Sequence, residues 1–239
     1  MQKMSYSNNR RKISTLSSLD LKAFFFDMDG VLFDSMPHHA KAWVYAFEQM
    51  GVIFDEYEAY MREGMTGAGT INEIYQRKLG RGATEEECKK IYEIKSNYFE
   101  TLGAAKKIPH ITNILQLVKD AGLEIFVVTG SGQLSLIDTL HDHFPGFFQR
   151  EKMVTAFDVK KGKPDPEPYL MALRKGNLKP EQVVVIENAP LGVRSAVGAG
   201  IFTIAVNTGI LKDEELTSNG ADLLYKNMQS LYEELLLVI

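Results

Sequence analysis

Short apolar runs punctuate this chain at intervals. The first, Ala23-Phe24-Phe25-Phe26, is rich in aromatics and closes on the turn signal Asp27-Met28-Asp29-Gly30. A short run closed in this way predicts a buried strand. Leu123 to Thr129 (LEIFVVT), Gln182 to Ile186 (QVVVI) and Phe202 to Val206 (FTIAV) have the same look, with a weaker run at Asp222 to Tyr225. Between them apolar residues recur near helical spacing, as in Ile111, Ile114, Leu115, Leu117 and Val118 ahead of Gly122. The segment after Pro166 carries Tyr169, Leu170, Ala172 and Leu173, and Ala189 to Ala199 (APLGVRSAVGA) is a small-residue helix suited to close packing on a sheet. Strands alternating with helices predict a parallel sheet covered on both faces. The interval from Ser35 to Lys106 breaks this alternation. It has helical periodicity at His38 to Met50, Glu56 to Glu63, Thr70 to Leu79 and Thr84 to Thr101, and almost no strand signal. The expected organisation is an α/β core formed by 21–34 and 107–239, with an inserted all-helical cap domain over 35–106.

Composition narrows the picture. The 239 residues carry 27 Lys and Arg against 31 Asp and Glu, a net charge of −4, with 45% hydrophobic and 24% charged residues. These are ordinary values for a globular protein, and the acidic balance argues against nucleic acid as a partner while leaving room for a local anion pocket. The single cysteine, Cys88, lies in the charged run Glu85 to Lys90 and reads as a free thiol on a helix, so no internal disulfide or Cys-rich zinc site is available. No apolar stretch approaches the roughly 20 residues needed to span a bilayer, and no membrane partner is expected. Met1 to Asp20 is polar, carries Arg10-Arg11-Lys12, lacks the apolar run of a secretory signal and reads as a disordered tail. The expectation is a cytoplasmic monomer.

The ends of the predicted strands collect the residues that carry chemistry. Asp27 and Asp29 stand two apart where the first strand ends, so both carboxylates can face one crevice. Gly30 allows a tight turn or a close backbone approach. Ligands of open parallel sheets bind outside the carboxyl ends of strands. Asp and Gly are also ordinary turn residues, so the pair alone decides little. The second strand ends in Val127-Val128-Thr129-Gly130-Ser131-Gly132, a hydroxyl and a run of amides at a helix start, which suits an anion or serves as a plain cap. Lys160-Lys161-Gly162-Lys163-Pro164-Asp165-Pro166 holds a lysine in a rigid loop, and the next strand ends in Glu187-Asn188-Ala189-Pro190. Carboxylates and an amide oxygen suit a hard cation such as Mg²⁺. A hydroxyl, a lysine and backbone amides suit phosphoryl oxygens. Together they describe a phosphoryl-transfer site with a nucleophile, a metal and a charge clamp.

Four segments, FFFDMDGVLFDS, VVTGS, KGKPDPEPY and VVIENAPLGVRSA, resemble in order and spacing the motifs of the haloacid dehalogenase (HAD) superfamily, in its β-phosphoglucomutase-like phosphatase branch. The resemblance runs from Leu21 to the end of the chain and implies a Rossmann-like core with a helical cap. The segments DMDGVLFDSM, GAGTI and VVIENAPLG are similar, more narrowly, to the Bacteroides-type inorganic pyrophosphatases of that branch. The resemblance implies that Asp27 is the nucleophile that forms an aspartyl-phosphate, and that Asp29 exchanges protons with leaving group and water. It implies Mg²⁺ held by Asp27, the backbone carbonyl of Asp29 and Asn188, with Glu187 near or in its coordination. Thr129 would bond the transferring phosphoryl group, with Gly130 and Ser131 beside it. Lys163 would neutralise charge on that group and on Asp27.

Two departures from the branch pattern refine the substrate. The fourth motif usually reads Glu-Asp, whereas here it reads Glu187-Asn188, which keeps an oxygen ligand and removes a charge. The cap loop Glu63-Gly64-Met65-Thr66-Gly67-Ala68-Gly69 lacks the arginine with which β-phosphoglucomutases grip a distal phosphate, although Arg62 precedes it. Glu63 is either a solvated glutamate at a helix end or, as the pyrophosphatase resemblance implies, a ligand that reaches Mg²⁺ when the cap closes. Lys95 is a candidate for a distal phosphate and His39 for orienting Asp29. A surface or capping role suits each of them equally well. The reading that results is a Mg²⁺-dependent phosphohydrolase whose partner is a small phosphorylated substrate, inorganic pyrophosphate first. The alternatives are a β-phosphoglucomutase and a non-catalytic phosphoryl sensor. Against the sensor, a second carboxylate two residues after the nucleophile serves turnover alone.

Overall fold

The computed structural model describes residues 13–131 and 134–239; Arg10-Arg11-Lys12 and Gly132 lie outside them. The aromatic run forms strand β1 (Ala23–Phe26), and all four of its residues are buried. Alternation explains why no polar residue is tolerated there. Phe24 and Phe26 pack with Val127, Val184 and Ile186 on one face of the sheet, while Ala23 and Phe25 pack with Phe126, Val128 and Val185 on the other.

The strands that flank β1 in the sheet follow only after the helical insertion. β2 (Phe33–Asp34) leads into it and β3 (Lys106–Lys107) leads out, and the two pair antiparallel, Phe33 opposite Lys107. Between them run α1 (Met36–Glu48), α2 (Glu56–Tyr60), α3 (Gly67–Leu79) and α4 (Glu85–Thr101). The starts of α2, α3 and α4 are fixed by side-chain caps. Asp55 with Glu58 and Thr84 with Glu87 form reciprocal capping boxes, and Thr66 accepts from the Gly69 amide. The helices enclose an apolar core of their own, centred on Trp43, Phe47, Phe54, Tyr60, Ile71, Ile74 and Ile91.

The chain then alternates as predicted: α5 (Ile111–Asp120), β4 (Glu124–Val128), α6 (Leu134–His143), β5 (Met153–Val154), α7 (Glu167–Gly176), β6 (Val183–Glu187), α8 (Pro190–Gly198), β7 (Phe202–Val206), α9 (Asp213–Thr217), β8 (Leu223–Tyr225) and α10 (Met228–Leu235). Among the described residues the main sheet has six parallel strands in the order β5-β4-β1-β6-β7-β8. This is a Rossmann-like arrangement, with helices flanking the sheet. Strand order reverses on either side of β1, and a crevice opens at such a switch point.

Two readings of the sequence need adjusting. Within the stretch expected to be a disordered tail, Ser14–Ser18 form a 3₁₀ turn, and Ile13 and Leu16 are buried in the core. The two-residue strands β2, β3 and β5 went unforeseen, being too short to carry any periodicity. Cys88 sits half-buried on α4, as expected of a free thiol, and burial raises its pKa. Among the described residues no helix is long and apolar enough to cross a membrane.

Candidate active site

Register sets the position of the site. Phe26 lies level with Val127 of β4 on one side and Ile186 of β6 on the other. The chain therefore leaves β1 between Thr129 and Glu187, and the Asp27 amide still donates to the Ile186 carbonyl at 3.1 Å. Strand geometry ends at Phe26, so strand alternation does not bring Asp27 and Asp29 together as expected. A tight turn does: the Leu32 and Phe33 amides donate to the Met28 carbonyl at 2.9 and 3.1 Å. Both carboxylates line one cavity of about 60 Å³. Gly30 takes a φ of 77°, and a Cβ on it would lie 2.0 Å from Asn188 Nδ2. Only glycine satisfies both conditions.

Lys163 is buried at 1% exposure and is fully engaged. Its Nζ donates to Asp27 Oδ1 and Glu187 Oε1 at 2.6 Å each, and to the Val128 carbonyl at 3.0 Å. Burial alone would lower its pKa, but the carboxylates of Asp27 and Glu187 hold it above the usual lysine value. Glu187 behaves unlike a metal ligand here. Its Oε1 accepts from Lys163 and from the Tyr169 hydroxyl at 2.7 Å, and its Oε2 accepts from the amides of Asn188 and Ala189. Glu187 thus holds Lys163 against Asp27. Tyr169, read from sequence as a core position of α7, is the unforeseen partner; its spacing shows an apolar face and gives no sign of its hydroxyl.

Thr129 and its loop form the opposite wall. The Thr129 amide donates to Val154, and the Ser131 amide donates to Thr129 Oγ1 at 2.9 Å. With its oxygen engaged as an acceptor, the hydroxyl proton of Thr129 remains to donate. Thr129, Gly130 and Ser131 all line the cavity.

The cap supplies the remaining walls. Glu63, 6% exposed, meets Asn188, whose Nδ2 lies 3.0 Å from both Oε1 and Oε2. Lys95, 2% exposed, donates to His39 Nδ1 at 2.9 Å and stands 4.8 Å from the ring centroid of Phe99, with Trp43 and Tyr92 also facing it. His39 Nε2 is 3.1 Å from Asp29 Oδ1, which also accepts from Ser35 Oγ at 2.6 Å. A hydrogen-bonded chain therefore runs from Lys95 through a neutral imidazole to Asp29. Arg62 lines the cavity but is clamped by Glu73 and by the Glu58 carbonyl, so it is not free to grip a substrate.

Charge accounts for what the site lacks. Burial raises the Asp27 carboxyl to about 8, opposed by Lys163 and reinforced by Glu187 and Asp29. Burial raises Glu63 as well, again with Asp27 and Asp29 adding to it. For Asp29, burial is outweighed by His39, Ser35 and Lys95, and its carboxyl lies below the usual value. Four buried carboxylates, Asp27, Asp29, Glu63 and Glu187, face two buried amines, Lys95 and Lys163. Among the described residues Asn188 Oδ1 is buried without a hydrogen-bond partner. An orphaned amide oxygen beside surplus carboxylate is a fit for a hard divalent cation. No cluster of three or more His, Cys, Asp or Glu ligands forms among the described residues. A donor set here would have to be mixed, with the Asn188 Oδ1 amide oxygen beside carboxylate.

Comparison with known proteins agrees with this geometry. Residues 24–206 match the family described as haloacid dehalogenase-like hydrolase, and the chain belongs to that family. It is 32% identical over 188 residues to hexitol phosphatase A of Escherichia coli (strain K12), covering 78% of this chain and 83% of that protein. It is 26% identical over 231 residues to beta-phosphoglucomutase of Bacillus subtilis (strain 168), covering 90% and 94%. A solved structure from Bacteroides vulgatus, provisionally named a beta-phosphoglucomutase, superposes with a TM-score of 0.91 at 49% identity, covering 97% of each chain. The chain is thus an enzyme of a phosphatase family whose members include sugar phosphatases and a phosphohexomutase.

Proposed function

We propose that this enzyme is a Mg²⁺-dependent phosphohydrolase acting through an aspartyl-phosphate on Asp27, with inorganic pyrophosphate as its preferred substrate. The observation that carries the reading is the contact of Glu63 with Asn188, which closes the cap over a cavity of about 60 Å³. Drug-sized ligands occupy pockets of roughly 300–1,000 Å³. A closed form of this size favours a small substrate over a sugar phosphate.

Asp27 attacks phosphorus while Lys163 neutralises charge on the carboxylate and on the phosphoryl oxygens. Thr129 donates to the phosphoryl group in flight, and the loop amides beside it donate to the remaining oxygens. Asp27 and Asn188 Oδ1, with the Asp29 carbonyl, would hold Mg²⁺; bound there, the ion supplies charge stabilisation and keeps Asp27 ionised. Glu63 would join that set from the cap. Lys95 faces the cavity from the far side and meets a second phosphate group.

Asp29 supports the choice of an anhydride. His39 and Ser35 keep it ionised, which makes it a ready base for the water that attacks the aspartyl-phosphate. Phosphate departs from an anhydride far more readily than a sugar alkoxide departs from an ester. The first step therefore asks little of Asp29 as an acid. The similarity to hexitol phosphatase A and beta-phosphoglucomutase favours a second reading, a sugar phosphatase or mutase working from a more open cap. Against the mutase, Arg62 is tied to Glu73.

The test is phosphate release with Mg²⁺ from pyrophosphate and a panel of sugar phosphates, for wild type and Glu63→Ala. Highest kcat/KM on pyrophosphate, selectively lost in Glu63→Ala, is expected. Preference for sugar phosphates with little effect of Glu63→Ala sinks the pyrophosphatase reading, and dependence on a sugar bisphosphate would indicate the mutase.

A further inference from the structure

Cap and core meet along a seam where glycines stand at the points of collision. A Cβ built on Gly130 would lie 2.1 Å from the carbonyl oxygen of Gly64 and 2.7 Å from its carbonyl carbon. Both are backbone atoms, so no side-chain rotation relieves the overlap. Gly130 does not adopt a positive φ, so its own conformation leaves other residues open to it. Its amide, available to a phosphoryl oxygen, would be present in any residue but proline. What glycine alone supplies there is the missing Cβ. Across the seam Gly64 has a φ of 84°, and its own Cβ would lie 2.8 Å from Lys163 Cδ. The loop carrying Glu63 therefore rests backbone to backbone on the loop carrying Thr129.

We propose that Gly130 is a specificity-determining residue: by letting Gly64 seat against it, it sets how deeply the cap closes and so confines the site to small phosphorylated substrates. The inference rests on the reading of this cavity as the substrate site. A methyl group at position 130 must push the Gly64 carbonyl from 2.1 Å to beyond 3.0 Å. Glu63 is the adjacent residue, and its 3.0 Å bonds to Asn188 do not survive such a shift. Gly64 and Met65 line the cavity on that side, so their retreat widens it. A small substrate then loses contact with the cap, while a larger one gains room.

The experiment measures kcat/KM along a size series from pyrophosphate through glycerol phosphate to a hexose phosphate. It compares wild type, Gly130→Ala, Gly162→Ala and Gly82→Ala. Gly130→Ala is expected to lower the small-to-large ratio about 10- to 100-fold, the scale of an ångström's misplacement at a reacting centre. Gly162→Ala should shift it less in the same direction, since its Cβ would lie 2.6 Å from the Thr66 methyl, a side chain that can yield. Gly82→Ala, whose Cβ would meet only Asn72 Oδ1 at 3.6 Å, should leave it unchanged. An unchanged ratio in folded Gly130→Ala overturns the proposal; should that variant not fold, an unchanged ratio in Gly162→Ala does so. A wild type that prefers hexose phosphate defeats the pyrophosphate reading alone. The change in ratio still decides the role of Gly130.

Discussion

Asn188 reaches from the end of β6 to both carboxylate oxygens of Glu63 in the cap loop, at 3.0 Å each. An aspartate at this position would face Glu63 carboxylate to carboxylate, whereas the amide donates to Glu63 and holds the cap loop against the core. Its Oδ1 stays buried without a hydrogen-bond partner. The exchange of a charge for an amide thus links cap closure to the ligand set.

Asn188→Asp separates these two functions. It adds a negative charge beside Glu63 and removes the donor to it. Calorimetric titration with Mg²⁺ should show tighter binding, while kcat/KM on pyrophosphate falls. Unchanged or weaker Mg²⁺ affinity would show that residue 188 is not a ligand.

Asp29→Asn should spare the first half-reaction on pyrophosphate and slow the second by about 100- to 10,000-fold, the usual contribution of a positioned base. Rapid-quench analysis should then find the aspartyl-phosphate accumulating to near one per enzyme. A variant that turns over at the wild-type rate removes the base role from Asp29.

Much of this was legible in the chain, for physical reasons. An all-apolar strand closed by Asp-x-Asp-Gly marks the centre of a parallel sheet, because only a strand buried on both faces reads that way. Lys95 shares a helix face with Tyr92 and Phe99, which follows from their spacing. Its meeting with His39, 56 residues away, depends on how α1 and α4 pack and leaves no local trace. Glu187 sits beside Asn188 in sequence, yet Tyr169 and Lys163 take up its oxygen from elements remote in the chain. The backbone contact of Gly64 with Gly130 was invisible for the same reason: a glycine explained by its neighbour looks like a glycine in a turn.

Tyr169→Phe removes one donor from Glu187 and leaves a buried carboxylate oxygen held by Lys163 alone. It should cost about 1–3 kcal/mol of stability and lower kcat more than it changes KM, because Glu187 then positions Lys163 less firmly against Asp27. Thermal unfolding and steady-state kinetics check both parts. Wild-type kcat would show that the hydroxyl only fills space.

Lys95 gives a pH signature. Burial lowers its pKa to about 7, against the pull of Asp29 and Glu100. An unfolded lysine titrates near ~10.4, so from about pH 7 upward the unfolded chain binds more protons and this site's contribution to stability rises with pH. Below pH 7 the full cost of burying the charge is present. Lys95→Met removes that cost and should raise Tm more at pH 6 than at pH 9. An equal shift at both would place the amine outside the buried cage of Trp43, Tyr92 and Phe99.

The most direct test of the account is a covalent one. Wild-type enzyme, Mg²⁺ and radiolabelled pyrophosphate are mixed, quenched in acid within the first turnover, and the protein is digested and mapped. The account expects label on the peptide containing Asp27, chased by unlabelled substrate, with Asp27→Asn folded, unlabelled and inactive. Turnover of pyrophosphate with no label on Asp27, or retained by Asp27→Asn, would contradict it.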